Sequence, residues 1–213
     1  MPELLERIRP LAQKWVLPVV EALRGRADNP FAILITSLIS LRTKEEQTAP
    51  AASQLLALAN TPQEMLALGE DIIAKILHPV GFYRNKTKTI LEVSRRLLSE
   101  YDSRVPDTLE ELLTFKGVGR KTANLVMSVA YNKPAICVDI HVHRITNRVG
   151  YVKTTSPEET EFALRKKLPP QHWQEINPLL VAFGREMCHP TSPYCSICPI
   201  THKCPRHGVK RTR

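Results

Sequence analysis

The chain has 213 residues, of which 30 are Lys or Arg and 21 are Asp or Glu, so its formal net charge is +9. Hydrophobic residues make up 43% of the chain, which is enough for a buried core and excludes disorder as the main state. The positive charge favours a polyanionic partner, either nucleic acid or an anionic membrane surface. The longest strongly apolar uncharged segment, residues 29–41, is shorter than the ~18 residues that a membrane-spanning helix needs.

Helix signals recur along the whole chain. Asn29 and Pro30 form a cap and a first helical residue ahead of an apolar segment. Four capping patterns predict further helix starts, at Thr43–Glu46, Thr61–Glu64, Asp107–Glu110 and Ser156–Glu159. Apolar residues mostly keep three- and four-residue spacing, and the only β-like run covers residues 135–138, so we predict an all-α protein of about ten helices.

Residues 112–123 predict two helices joined by the tight turn Gly117-Val118-Gly119. Glycines let the backbone approach another molecule closely, and the turn amides lie at the positive end of the second helix's dipole. That end suits a phosphate oxygen, so the pattern indicates a helix-hairpin-helix that binds duplex backbone without reading sequence. Taken alone, the two glycines are better explained by a purely structural turn, because glycines usually serve turn geometry.

Two ionisable residues after this turn are candidates for catalysis. Lys121 lies in the first turn of the second helix, where the helix dipole disfavours a charged amine, and an uncharged amine is a nucleophile. The alternative is a solvated surface lysine. Asp139 precedes a predicted helix from Ile140 to Val149. Its carboxylate can cap that helix, and it can also stabilise positive charge at C1′ of a nucleotide as a glycosidic bond breaks.

The positive charge is concentrated in two segments. Residues 118–153 contain six Lys or Arg and one Asp, and residues 185–213 contain six Lys or Arg and one Glu, so each segment carries +5. The rest of the chain is therefore close to neutral, which favours a nucleic acid over a membrane as the partner. Arg144 and Arg148 share a helical face in the first segment, and they suit either a solvated surface or phosphate contacts.

Four cysteines lie close together near the carboxyl end, at Cys188, Cys195, Cys198 and Cys204. The acidic residues of the first ten positions argue against a signal peptide, so we expect an intracellular, reducing location, where a metal site is favoured over disulfides. Four thiolates hold either a zinc ion or an iron–sulfur cluster, and spacing alone favours zinc. The fifth cysteine, Cys137, is expected to be a small buried hydrophobic residue.

Taken together, these motifs resemble the endonuclease III family of DNA base-excision glycosylases, in the helix-hairpin-helix superfamily. The resemblance extends through residues 29–31, 81–83, 117–123, 138–142 and the cysteine spacing. It implies that Lys121 is the lyase nucleophile and Asp139 the catalytic aspartate. It also implies that the four cysteines bind a 4Fe-4S cluster, which replaces the preference for zinc.

By the same resemblance the protein is a monomeric, bifunctional DNA glycosylase and AP lyase that acts with DNA inside the cell, in the cytoplasm or nucleoid of a prokaryote. It flips a damaged pyrimidine out of duplex DNA, displaces the base with Lys121 and cuts the strand by β-elimination, and it also acts on abasic sites. Two domains are implied, residues 23–134 and residues 1–22 plus 135–213, with Lys121 and Asp139 meeting across the cleft between them.

The resemblance also implies which residues contact DNA. Arg42 and Phe82 take the positions of the side chains that fill the hole left by the flipped base, where better-known bacterial members carry Gln and Leu. Phe82 suits either a stacking wedge or a core aromatic residue. The other expected contacts are Gly117, Val118, Gly119, Arg120, His141, Arg144 and Arg148.

Two alternatives remain open at the level of sequence. The first is a monofunctional mismatch glycosylase that acts on adenine or thymine. Adenine-specific members carry Ser at the position of Lys121 and Glu at that of Ser37, which argues against this alternative. The second is a non-catalytic helix-hairpin-helix DNA-binding module with a structural metal, in which Lys121 and Asp139 have no chemical role.

Overall fold

The computed structural model describes residues 1–15, 17–23 and 29–213; Val16 and residues 24–28, which belong to the predicted domain ranges, lie outside the described residues. The described part of the chain contains eleven α-helices, one short 3-10 helix and no strand, so the all-α prediction is confirmed. None of the helices in this part is long and apolar enough to cross a membrane.

The chain divides into two compact units, residues 1–18 plus 134–213 and residues 19–133. The predicted ranges place the first junction after residue 22 and the second after residue 134. The unit of residues 19–133 contains seven of the described helices: α2 (Val19–Ala22), α3 (Pro30–Ser40), α4 (Glu45–Leu58), α5 (Pro62–Leu77), α6 (Tyr83–Glu100), α7 (Leu109–Leu113) and α8 (Arg120–Ala130).

Helix α3 forms the centre of this unit. Its residues Phe31 and 33–39 are all buried, because α4, α6 and α8 pack around it. A helix that is apolar on every side is typical of such a central position. Helix α5 packs along α6 and is interrupted at Gly69, whose φ of +75° is not helical.

The unit of residues 1–18 plus 134–213 has its own core. It contains α1 (Pro2–Ala12), α9 (Ile140–Arg148), α10 (Pro157–Lys167), a 3-10 helix (Pro170–His172) and α11 (Ile176–Glu186). Helix α11 packs against both α1 and α9, and the shared core includes Leu5, Ile8, Val142, Ile145 and Phe183. Residues 187–213 contain no helix and carry the four clustered cysteines.

The predicted caps at Asn29, Thr61 and Ser156 are confirmed. Asn29 Oδ1 accepts a hydrogen bond from the Ala32 N–H at 3.0 Å, and Thr61 forms a complete capping box with Glu64. Ser156 Oγ accepts from the Glu159 N–H at 3.2 Å. These caps follow from contacts within three residues, which is why the sequence alone predicts them.

Two predicted capping boxes are wrong because distant residues engage their side chains. Helix α4 follows Lys44, and Thr43 Oγ1 instead accepts a hydrogen bond from Lys86 Nζ. Helix α7 is capped by Thr108, while Asp107 forms an ion pair with Lys133 at 2.7 Å. In both cases the helix starts one residue later than predicted.

Candidate functional site

The two glycines of the hairpin turn have different roles. Gly117 has a φ of +80°, and a Cβ there would lie 2.8 Å from Cγ2 of Thr89, so both the backbone and the packing require glycine. Gly119 caps α8 with a φ of −94°, and a Cβ there would meet none of the described atoms within 4 Å. Glycine at 119 is therefore not explained by the fold of this chain, and it leaves the amino terminus of α8 open to another molecule.

The side chains of the turn also separate into anchors and exposed groups. Val118 is buried and its N–H donates to the Phe115 carbonyl at 3.1 Å. Both the side chain and the amide of Val118 therefore hold the turn together, and its contact with DNA stays a prediction. Arg120 and Lys121 are the first two residues of α8, as predicted for Lys121, and both are partly exposed.

Asp139 caps α9, which confirms the capping prediction. Its Oδ1 accepts hydrogen bonds from the His141 N–H at 2.8 Å and the Val142 N–H at 3.0 Å. Both bonds use one oxygen, so the cap fixes the carboxylate without engaging Oδ2. Charge-assisted bonds of this kind hold a carboxylate in one orientation, which a group that stabilises charge in a reaction requires.

His141 is held by Arg144 and by a glycine that the sequence did not single out. Arg144 Nη2 lies 3.1 Å from His141 Nδ1 and donates to the Cys188 carbonyl at 2.9 Å. Because the guanidinium is a donor, His141 Nδ1 accepts, and the ring hydrogen is on Nε2. A Cβ at Gly184 would lie 2.3 Å from His141 Nδ1, so α11 requires glycine there. An isolated glycine in an apolar helix is the only sequence signal for this contact.

Arg148 points into the protein, which corrects the expectation of a solvated or phosphate-binding side chain. It is 6% exposed, and Nη1 donates to Cys188 Sγ at 3.3 Å and to the His189 carbonyl at 2.7 Å. Nη2 donates to the Pro190 carbonyl at 3.0 Å. Arg144 and Arg148 do share a face of α9, but that face packs on the segment that carries Cys188. The N–H groups of the two guanidinium groups donate to backbone carbonyls of this segment, which has no helix to supply hydrogen-bond partners.

All four clustered cysteines line one cavity, which is partly open to solvent. Burial raises the pKa of the Cys188 and Cys198 thiols, and hydrogen bonds from Arg148 and from the Ile200 backbone oppose this effect. Among the described residues, no group of three or more His, Cys, Asp or Glu side chains is arranged to hold a single metal ion. Zinc draws its sulfur ligands to ~2.3 Å. Four thiol groups around one cavity are the donor set that an iron–sulfur cluster needs, so the residues present fit a cluster that all four bind. Cys137 is buried as predicted, at 2% exposure.

Arg42 and Phe82 lie on two adjacent loops of the unit of residues 19–133. Residues 41–44 join α3 to α4, and residues 78–82 join α5 to α6. Phe82 is 63% exposed, so its interpretation as a core aromatic residue is wrong. Arg42 is exposed too, and both residues adopt left-handed backbone conformations, with φ of +53° and +59°. A Cβ at Gly81 would lie 3.3 Å from the Arg42 carbonyl oxygen, which shows how closely the loops approach.

The positive charge is less available to a partner than the sequence indicates. Lys133 pairs with Asp107 at 2.7 Å, and Lys203 pairs with Glu3 at 2.9 Å. Arg144 and Arg148 direct their guanidinium groups at the cysteine segment. Part of the excess charge in the two basic segments therefore has a structural role.

Comparison with known proteins gives a consistent result. Residues 35–170 match the family model "HhH-GPD superfamily base excision DNA repair protein". The chain is 47% identical over 176 residues to "Endonuclease III" of Thermotoga maritima, with 83% of each chain covered. It is 46% identical over 184 residues to "Endonuclease III homolog 2, chloroplastic" of Arabidopsis thaliana, covering 82% of this chain and spanning about half, 48%, of that longer protein. A solved structure described as a trapped endonuclease III–DNA covalent intermediate matches with a TM-score of 0.79 and 35% identity over 84% of each chain.

Proposed function

This chain belongs to the HhH-GPD superfamily of base excision DNA repair proteins and, within it, to the endonuclease III family, and from this premise we propose how its residues excise a base and cut the strand. It is a base excision repair glycosylase and lyase. We propose that it acts as a monomer on oxidised pyrimidines and abasic sites in duplex DNA inside the cell. The observation that carries the proposal is the position of Lys121, in the first turn of α8 directly after the open Gly119.

The hairpin binds the DNA backbone in this proposal. The amino terminus of α8 is positive and unobstructed at Gly119, so a phosphate oxygen can approach its amides. Gly117 keeps the turn in the required conformation, and Val118 anchors it from inside. A phosphate contact of this kind reads no base, which suits an enzyme that must act in any sequence.

Lys121 is the nucleophile. Its amine forms a bond to C1′ of the flipped nucleotide as the bond from C1′ to the base breaks. The electron pair leaves with the base, and the proton that the amine loses neutralises the base. The sugar ring then opens to give an imine, which acidifies the proton on C2′. Loss of that proton breaks the C3′–oxygen bond, and the strand is cut on the 3′ side.

Asp139 stabilises the charge that develops on the sugar as the base leaves. Its carboxylate is held by the cap on α9, so it needs no reorganisation during the reaction. In other enzymes, removal of one preorganised group that stabilises transition-state charge lowers the rate about 10²–10³-fold. Because the cap uses Oδ1 alone, Oδ2 is the atom assigned to this role.

The cysteine segment holds a 4Fe-4S cluster in this proposal, with Cys188, Cys195, Cys198 and Cys204 as ligands. Bound there, the cluster supplies iron–sulfur bonds that hold together a segment without helices. Support comes from the common cavity of the four cysteines. Pure protein is expected to be brown and to contain about four iron atoms and about four sulfide ions per chain. A colourless protein with one zinc ion would contradict the cluster.

An adenine-specific mismatch glycosylase is disfavoured by α3. Ser37, at the position of that group's catalytic Glu, is 2% exposed, and its hydroxyl donates to the Ile33 carbonyl at 2.7 Å. Ser37 therefore completes the interior of α3 and offers no carboxylate to a base.

Borohydride trapping tests the nucleophile. The wild-type protein should form a covalent adduct with duplex DNA that contains an abasic site or thymine glycol, and Lys121→Ala should abolish it. Lys116→Ala is the matched control, because Lys116 also lies beside the turn but pairs with Glu92 at 3.1 Å. Trapping that persists in Lys121→Ala would show that another residue is the nucleophile. Wild-type protein that binds DNA without trapping would support either alternative, the monofunctional glycosylase or the non-catalytic module.

A further inference from the structure

Lys86 is a buried lysine with no assigned role. It lies in the first turns of α6, four residues after Phe82, and is 8% exposed. Its Nζ donates to the Ile39 carbonyl at 2.7 Å and to Thr43 Oγ1 at 2.6 Å. Ile39 and Thr43 lie on either side of Arg42 in the chain. One ammonium group therefore ties the start of α6, beside Phe82, to both ends of the turn that carries Arg42.

Packing alone does not explain a lysine at this position. Burying an ammonium costs free energy, and here burial lowers the pKa of Lys86 to about 8. A methionine or leucine would fill the same space without that cost. The two hydrogen bonds offset it, and the Ile39 carbonyl lies at the negative end of the α3 dipole, which favours a cation. The charge therefore serves the connection between the two loops.

The two loops need such a connection because their exposed residues are strained. Arg42 and Phe82 both have positive φ, a conformation that residues with a Cβ adopt only where surrounding contacts enforce it. Gly81 allows the loops to touch, since a Cβ there would lie 3.3 Å from the Arg42 carbonyl oxygen. Lys86 is the polar link across that contact.

We propose that Lys86 is a positioning residue that holds Arg42 and Phe82 in the arrangement in which they enter the duplex beside a flipped nucleotide. This inference rests on the proposed function. Phe82 would stack in the space that the nucleotide leaves, and Arg42 would donate to the orphaned base opposite. Because Lys86 itself does not reach the DNA in this arrangement, its loss should affect recognition of the lesion and not the binding of undamaged duplex.

The test uses two variants of the link and a matched control in the full-length protein. Lys86→Met removes the ammonium, and Thr43→Val removes its hydroxyl partner with little change in volume. Thr87→Val is the control, because Thr87 is buried next to Lys86 in the chain but its hydroxyl donates within α6, to the Tyr83 carbonyl at 2.9 Å. Each protein is titrated with an undamaged duplex and with a duplex that contains a stable abasic-site analogue opposite 2-aminopurine.

Lys86→Met should lower the preference for the abasic duplex over the undamaged duplex about tenfold, since it removes charge-assisted hydrogen bonds. The change in 2-aminopurine fluorescence at saturation should shrink in parallel, because the side chains no longer enter beside the orphaned base. Thr43→Val should show a smaller effect in both measurements, and Thr87→Val none. A merely structural lysine would lower the melting temperature without changing the fluorescence of the saturated complex.

An unchanged preference and unchanged fluorescence in folded Lys86→Met would overturn the inference. If Lys86→Met does not fold, the same result in Thr43→Val overturns it. Borohydride trapping by the wild-type protein distinguishes a failure of the Lys86 inference from a failure of the proposed function. If the wild-type protein traps normally and the variants have the same duplex preference and fluorescence as the wild type, only the role of Lys86 is refuted. Wild-type protein that neither traps nor prefers the abasic duplex refutes the proposed function, and this inference with it.

Discussion

Asp139 combines a helix cap with a proposed role in catalysis, and two substitutions separate these roles. Its Oδ1 accepts two N–H groups of α9, at 2.8 and 3.0 Å. An asparagine carbonyl accepts the same two bonds but carries no charge, whereas alanine accepts neither. Asp139→Asn should therefore keep the cap and lose the chemistry, and Asp139→Ala should lose both.

The size of each effect follows from the geometry. Loss of an N-cap costs about 1–2 kcal/mol, whereas Asn and Asp cap about equally well. In a chain of 213 residues, 1 kcal/mol lowers the melting temperature by about 2–4 °C. Asp139→Ala should thus melt several degrees below the wild-type protein, and Asp139→Asn close to it. Both should excise thymine glycol about 10²–10³-fold more slowly, because the charge that stabilises the developing cation is missing.

Single-turnover excision and thermal unfolding measure the two effects separately. Ser156→Ala is the matched control, because Ser156 caps α10 of the same unit with one bond of 3.2 Å and has no proposed part in the chemistry. It should lose about 1 kcal/mol of stability and excise at the wild-type rate. Excision by Asp139→Asn at the wild-type rate would refute the catalytic assignment. A loss of stability in Asp139→Asn equal to that in Asp139→Ala would refute the account of the cap.

Three further substitutions test the hairpin and the cysteine segment. Gly117→Ala should cost about 1–3 kcal/mol in urea unfolding, because it forces a Cβ into a left-handed backbone against Thr89. Gly119→Ala should leave unfolding nearly unchanged but weaken binding to undamaged duplex, and unchanged binding would favour the purely structural turn. Arg148→Met should lower the iron content of purified protein, since it removes the buried guanidinium that donates to Cys188 Sγ and to the His189 and Pro190 carbonyls. Full iron content would contradict this.

Local contacts explain which features the sequence predicted. The caps at Asn29, Thr61 and Asp139 depend on N–H groups two or three residues away, so their residue types and spacing are sufficient to identify them. The all-α class follows from the same signals. The placement of Lys121 in the first turn of α8 and of the four cysteines around one cavity also follows from short segments of the chain, while their roles stay predictions.

Contacts between residues distant in the chain decided the rest. Helical periodicity places Arg144 and Arg148 on one face of α9, but only the fold shows that this face packs on the segment around Cys188. Thr43 has the residue type and spacing of a cap, yet its hydroxyl bonds to Lys86, 43 residues away. A polar side chain takes whichever partner the folded chain brings within hydrogen-bond distance, and a partner beyond a few residues leaves no periodic signal in the sequence. The sequence by itself therefore determined the helical class, the helix starts whose caps depend on neighbouring residues, and which chemical groups the chain carries. The tertiary structure decided which of those groups are exposed to a substrate and which hold the protein together.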